Sequence, residues 1–115
     1  MSAQKVQKKV AKVGFDWKEM EPVVGKVQEE FEEVTEALTK GNDEEIGEEI
    51  GDLLFAVVNL ARKTGHEAEL LLAATNRKFV KRFQKVEAAL LESGSSLDEA
   101  TLEEMDLLWE KAKTS

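Results

Sequence analysis

Between residues 26 and 62 the chain reads KVQEEFEEVTEALTKGNDEEIGEEIGDLLFAVVNLAR, two amphipathic runs separated by Gly41-Asn42. On the first run, Val27, Phe31, Val34 and Leu38 repeat at the spacing of one helical face; Ile46, Ile50, Leu53, Val57 and Leu60 do so on the second. Such a pair, joined by a glycine-containing turn, predicts an antiparallel helix hairpin. Eleven of the chain's 24 acidic residues lie between Glu29 and Asp52, with Lys40 the only basic residue among them.

At about 100° per residue, Glu30 lies about 60° to one side of the first apolar stripe and Glu33 about 120°. Glu49 and Asp52 lie at about the same two angles from the second stripe, on the same rotational side. Two antiparallel helices packed stripe to stripe are related by a two-fold axis, which keeps one edge as one edge. The pairs 30/52 and 33/49 are both centred on residue 41, so heights match as well as angles. Four carboxylates gathered at one edge either raise their pKa values or recruit a cation. An all-oxygen set suits Mg²⁺, which shares its ligands with substrate phosphates, and Mn²⁺ is the expected substitute. A solvated acidic face is the plain alternative.

With 115 residues, no cysteine, one proline and no tyrosine, the chain is expected to form one domain, residues 1–115. The expected architecture is an all-α bundle of four to five helices. Absence of cysteine removes disulfide and thiolate-metal chemistry, and together with the lack of an apolar run near 18 residues it points to a cytoplasmic protein with no membrane partner. A net charge of −8 argues against nucleic acid as a partner.

Residues 1–13 are basic and weakly amphipathic, with Val6, Val10 and Val13 on one face; they read as a short helix or a flexible basic N-terminal arm. Phe15 and Trp17 stand in a connector, where they cap a core or, for Trp17, stack on a base or ribose. Helix two is expected over about 22–40 and helix three over about 43–64, with Asn42 or Asp43 as N-cap and Gly65 beyond its end. The middle of helix three, from Leu53 to Val58, is apolar all round, so a second subunit is expected to complete the bundle in a homodimer or higher homo-oligomer, with Phe55 at the interface. Asn59, near the carboxylate edge, contacts substrate or is a satisfied buried amide. His66 receives no role.

Helix four is expected over about 67–92, with Leu72, Asn76, Phe79, Phe83, Val86 and Leu90 inward. Five basic residues and no acid lie between Arg77 and Lys85; Lys78, Arg82 and Lys85 share a face that either holds phosphates or pairs with the acidic helices. Thr101 and Glu104 form a capping box for a last helix running to about Lys113. Trp109 is a core residue or flanks a nucleotide pocket, with Lys113 near the phosphates.

Glu29-Glu30-Phe31-Glu32-Glu33 followed by Glu49-Ile50-Gly51-Asp52 reads EExxE…ExxD, which resembles the signature of the all-α nucleoside triphosphate pyrophosphohydrolases. The stretches GFDW (14–17), KVQEEFEEV (26–34), EEIGDLLFAVVNLAR (48–62) and NRKFVKRF (76–83) look like the MazG family in particular, and like the C-terminal of the two domains typical of it. The resemblance implies Mg²⁺-dependent hydrolysis of a nucleoside triphosphate to monophosphate and pyrophosphate. It implies Glu30, Glu33, Glu49 and Asp52 as metal ligands, and Glu29 and Glu48 as candidates for a further metal contact or for activating water. Lys26, Lys78, Arg82, Trp109 and Lys113 match positions used around the substrate, and Asn59 and Arg62 match the NLAR segment. A nucleotide-binding or sensing module without turnover, and a purely structural helical domain, are the competing readings.

Overall fold

The structure is a computed structural model that describes residues 1–114. It contains five helices, α1 (Ala3–Ala11), α2 (Met20–Lys40), α3 (Asp43–Lys63), α4 (Ala68–Glu92) and α5 (Leu102–Lys113), with no strand among the described residues. The chain forms two compact units, Met1–Leu70 and the residues from Leu71 onward.

In the first unit, local chemistry sets the helix ends. Glu19 is the N-cap residue of α2 but makes no side-chain cap. Pro22 then sits in the first turn, where its missing N–H leaves no intrahelical bond unmade. Gly41 ends α2 in the left-handed conformation at φ 76°, its N–H donating to the Ala37 carbonyl at 3.0 Å. One residue on, Asn42 accepts from Glu45 N–H at 3.1 Å and starts α3. Asp43, Glu44 and Glu45 load the first turn of α3 with the sign its dipole favours. Gly65 at φ 82° closes α3, with His66 N–H reaching back to the Ala61 carbonyl at 2.9 Å. His66 is thus a turn residue.

The α2–α3 hairpin is there, but its packed seam is not centred on the residues expected. Val23 and Ala37 are buried, with Val27 and Val34 half-buried between them and Glu30 also inside. Opposite, Ala56 is buried and Ile46, Glu49, Leu53 and Leu60 are half-buried. This is the alternating three-four spacing of a tight antiparallel pair. Phe31 and Leu38 are 61% and 59% exposed, and Ile50 and Val57 also face outward. The cause is stripe width. The apolar residues of α2 and α3 spread over more of the circumference than one partner helix can cover, so their mean direction falls between the seam and an uncovered edge.

α1 docks on α3 through amides rather than through its valines. Gln4 donates to the His66 carbonyl and accepts from Ala68 N–H, both at 2.8 Å, clamping α1 to the start of α4. Gln7 is buried and donates from Nε2 to the Phe55 carbonyl at 2.9 Å. Val6, Val10 and Val13 remain exposed. The docking face is Ala3, Gln7 and Ala11, one helical face at four-residue spacing, which permits close approach.

In the second unit, Val86 and Leu90 of α4 and Ala112 of α5 are buried. Leu72 and Phe79, expected inward, are exposed, although the Trp109 ring lies 4.8 Å from that of Phe79. Thr101 and Glu104 make the expected capping box at the start of α5.

Candidate functional site

Taking the observed seam as the reference, each edge of the hairpin acquires a distinct character. Lys26 and Glu33 lie about 60° and 80° to one side of the α2 seam, and Asp52 and Asn59 about 80° and 100° to the same side of the α3 seam. Glu30 and Glu49 are inside the seam itself, not beside it. That is a correction to the expected placement, and it follows from the rotated packing face.

Glu30, Glu49 and Asp52 present carboxylate oxygens that lie within 4.8 Å of one another. Glu30 is only 8% exposed and pairs with Lys26, whose Nζ is 3.1 Å from its Oε1. That hydrogen bond is the first cause of the raised Lys26 pKa. The Glu49 carboxyl is pushed above the ordinary carboxylate value by desolvation first, then by the charges of Glu33, Asp52, Glu30 and Glu45. Glu33 stands outside the three-residue group, but its charge acts on Glu49. Lys26 is the one cation paired with the group among the described residues, so negative charge is left in excess. The donor set is all oxygen, close-spaced and under-neutralised, and it fits a hard divalent cation.

Glu29 and Glu48 sit on exposed faces of α2 and α3, Glu29 within 3.6 Å of Lys26. Neither joins the three-carboxylate group.

Beside the carboxylates lies a cleft of about 530 Å³ between α1, the α1–α2 connector and the hairpin. Lys26, Glu30 and Asp52 line one part of it; Trp17, Asn59 and Arg62 line it too. A volume of this order suits a small-molecule ligand. Arg62 organises one wall. Its Nη2 donates to Asp16 Oδ1 at 2.7 Å, and its Nε and Nη2 donate to Asn59 Oδ1 at 3.1 and 2.9 Å. Lys63 adds an ion pair to Asp16 at 3.4 Å. The Arg62 hydrogen bond is the chief reason that the Asp16 carboxyl is lowered to about 2.

Phe55, expected at a subunit interface, lines this cleft within the single chain, its carbonyl accepting from Gln7 of α1. Gln7 and Asp16 also line it, and the sequence reading gave neither a role. Asp16 stands within GFDW, where its neighbours Phe15 and Trp17 drew attention; Gln7 stands in a lysine-rich run that reads as solvated.

Lys78, Arg82, Trp109 and Lys113 belong to the second unit. Trp109 is half-buried against Phe79, and Lys113 pairs with Glu110 at 3.4 Å. Lys78 is exposed and Arg82 half-buried on α4.

A helical hairpin with carboxylates set in its seam, opening on a cleft lined by a lysine, an arginine and aromatic side chains, defines an all-α protein with a close-spaced acidic group beside a ligand-sized cleft. Residues 19–87 match the model of the MazG nucleotide pyrophosphohydrolase domain, and the chain belongs to that family. It is 47% identical over 115 residues to the nucleoside triphosphate pyrophosphohydrolase of Escherichia coli (strain K12), covering 98% of this chain and 44% of that protein. It is 43% identical over 111 residues to the nucleoside triphosphate pyrophosphohydrolase/pyrophosphatase MazG of Thermotoga maritima, covering 96% of this chain and 42% of that protein. The chain thus spans less than half the length of these relatives.

Proposed function

We propose that this domain hydrolyses nucleoside triphosphates, ribo- or deoxyribo-, to nucleoside monophosphate and pyrophosphate with Mg²⁺. The observation that carries the reading is the group Glu30, Glu49 and Asp52, with oxygens within 4.8 Å, opening on the cleft. Family membership supports the same reaction class. Glu30, Glu49 and Asp52 would hold the ion, with Glu33 as a fourth ligand. Mg²⁺ bound there supplies charge neutralisation for the triphosphate and activation of the attacking water.

The remaining steps rest on the chain's own residues. Lys26 stands next to Glu30 and offers a positive charge to phosphate oxygens at the mouth of the carboxylate group. Glu29 and Glu48 are the candidates for accepting the proton of the attacking water. Trp17 offers a π-face to the base or ribose. Arg62, held by Asp16, fixes the Asn59 amide through its carbonyl oxygen and so leaves the Asn59 NH₂ for substrate. Lys78, Arg82, Trp109 and Lys113, all of the second unit, are proposed as substrate-binding residues on the resemblance to the MazG family alone. Mn²⁺ is the expected substitute metal.

The active form is proposed to be a homodimer or higher homo-oligomer. Phe31, Leu38, Ile50, Leu54 and Val57 form one exposed apolar edge of the hairpin, opposite the carboxylates, and a second copy of the same edge would cover it by two-fold pairing. No helix is long and apolar enough to cross a membrane among the described residues. A cytoplasmic setting, with neither membrane nor nucleic acid as partner, accords with a nucleotide substrate and a net charge of −8.

The test is product analysis. The protein is incubated with each common NTP and dNTP, with and without Mg²⁺, and products are resolved by ion-exchange chromatography. Monophosphate plus pyrophosphate, only with Mg²⁺, is the expected result. Diphosphate plus phosphate would place the scissile bond elsewhere. Nucleotide-dependent thermal stabilisation without product would favour a binding or sensing module.

A further inference from the structure

Gln7 is 4% exposed, and its two amide atoms have different fates. Nε2 donates to the Phe55 carbonyl at 2.9 Å, which fixes the orientation of the amide. Oε1 is buried and has no hydrogen-bond partner; it is the single such side-chain atom found among the described residues. An unmet buried acceptor costs about 1–3 kcal/mol. The helix-docking bond needs only Nε2, so docking does not account for Oε1. Gln7 lines the same cleft as Asp52, Asn59 and Trp17.

Position along α3 separates this group from the phosphate end. Gln7 meets α3 at Phe55, three residues and so about 4.5 Å along the axis beyond Asp52. That is the direction of Asn59 and Arg62, away from Glu49. A nucleotide whose phosphates face the carboxylates would bring its sugar or base here, not its phosphates.

We propose that Gln7 reads the nucleoside part of the substrate, its Oε1 accepting a hydrogen bond from an O–H or N–H donor of a nucleotide seated in the cleft. This rests on the nucleotide reading given above. It adds a residue that determines specificity, with a fixed polarity: the site takes a donor at this point and rejects an acceptor. Asn59 is the complement, since its carbonyl oxygen is occupied by Arg62 and its NH₂ offers a donor to the same cleft. A sugar hydroxyl and a base N–H share the required chemistry, and the experiment separates them.

With Mg²⁺ present, KM is measured for the full chain with ATP, CTP, GTP and UTP, with their 2′-deoxy and 3′-deoxy forms, and with forms methylated at the base N–H. The Gln7→Met variant goes through the same series, and inorganic tripolyphosphate is used as a competitive inhibitor of both proteins. Removal of one donor is expected to raise the wild-type KM roughly tenfold. A deoxy form showing this identifies a sugar hydroxyl; a methylated form identifies the base. In Gln7→Met the discrimination collapses to about onefold, while tripolyphosphate inhibits both proteins equally, because it lacks the nucleoside. The proposal is overturned if Gln7→Met discriminates as wild type does, or if tripolyphosphate inhibition weakens as much as nucleotide binding. Should Gln7→Met fail to fold, the wild-type series decides alone: a KM indifferent to every donor removal overturns the role of Gln7. Turnover of nucleotides with that indifference sinks this inference only, whereas no nucleotide binding or turnover sinks the nucleotide reading with it.

Discussion

The two edges of the α2–α3 hairpin are built on the same backbone and the same two-fold relation, yet they carry opposite chemistry. On one edge stand Lys26, Glu33, Asp52 and Asn59, with Glu30 and Glu49 reaching out of the seam. On the other stand Phe31, Leu38, Ile50, Leu54 and Val57, all at least 42% exposed. Neither edge is satisfied by the chain alone. The first holds carboxylates whose mutual repulsion raises the Glu49 pKa beyond what desolvation does. The second leaves apolar surface in water. What each would take up under the proposed function is therefore different in kind: a cation and an anionic ligand for one, a second copy of the apolar edge for the other. A single amphipathic hairpin can specify both because its polar and apolar sectors are each wider than the seam.

The largest expected effect separates charge from shape at the first edge. Glu49→Gln keeps the size of the side chain and removes its charge. Pyrophosphate release should fall at least about 100-fold, as expected when a group that stabilises developing charge is lost. The Tm without divalent ion should stay level or rise, because an uncharged Gln is relieved of the repulsion that raises the Glu49 pKa. A lowered Tm together with lost activity would make Glu49 a structural residue. Asp52→Asn should behave alike.

At the second edge, Leu54→Glu should dissociate the proposed homo-oligomer, read by sedimentation equilibrium as a fall to the monomer mass. It should leave the helical circular dichroism of the subunit intact, since Leu54 is already 61% exposed within the single chain. A wild-type protein that sediments as a monomer would break the comparison, leaving the apolar edge without a function.

The smallest effect concerns the wall of the cleft. Asp16 titrates at about 2 in the folded chain against 3.8 unfolded, chiefly through its Arg62 hydrogen bond. A depressed carboxylate pKa contributes stability that is fully present above the unfolded value and is lost as pH falls through the folded value. Urea unfolding of wild type and Asp16→Asn should therefore differ by a constant amount at neutral pH. The difference should shrink below about pH 4 and vanish near about pH 2. A difference independent of pH would mean that Asp16 acts through packing, not through its charge.

Much of this was readable beforehand where local chemistry decides. The Gly41-Asn42 turn, an N-cap at Asn42 or Asp43 (Asn42 in the structure), Gly65 after α3 and the Thr101–Glu104 box all depend on residues within a turn of one another. Periodicity and register put Glu30, Glu33, Glu49 and Asp52 together at one edge; the structure gathers Glu30, Glu49 and Asp52 and leaves Glu33 outside the group. What periodicity misjudged was rotation. Phe31 and Leu38 pulled the mean apolar direction toward the exposed edge, and small Ala37 and Ala56, which carry little hydrophobic weight, mark the true seam. Gln7 was illegible for a related reason. An amide between lysines gives no hydrophobic signal, and its burial depends on α3, 48 residues away in the chain.

Metal binding reports most directly on whether the carboxylates of the hairpin form a site. Mn²⁺, titrated into the protein and followed by electron paramagnetic resonance of the free ion, reports occupancy without any substrate. Wild type is expected to hold Mn²⁺, with Mg²⁺ competing for the same site; Glu49→Gln is expected to lose the ion with its fold unchanged, and Leu54→Glu to retain it. Binding that survives Glu49→Gln, or no binding by a folded wild-type protein, would contradict the claim that the carboxylates of the hairpin seam form a metal site.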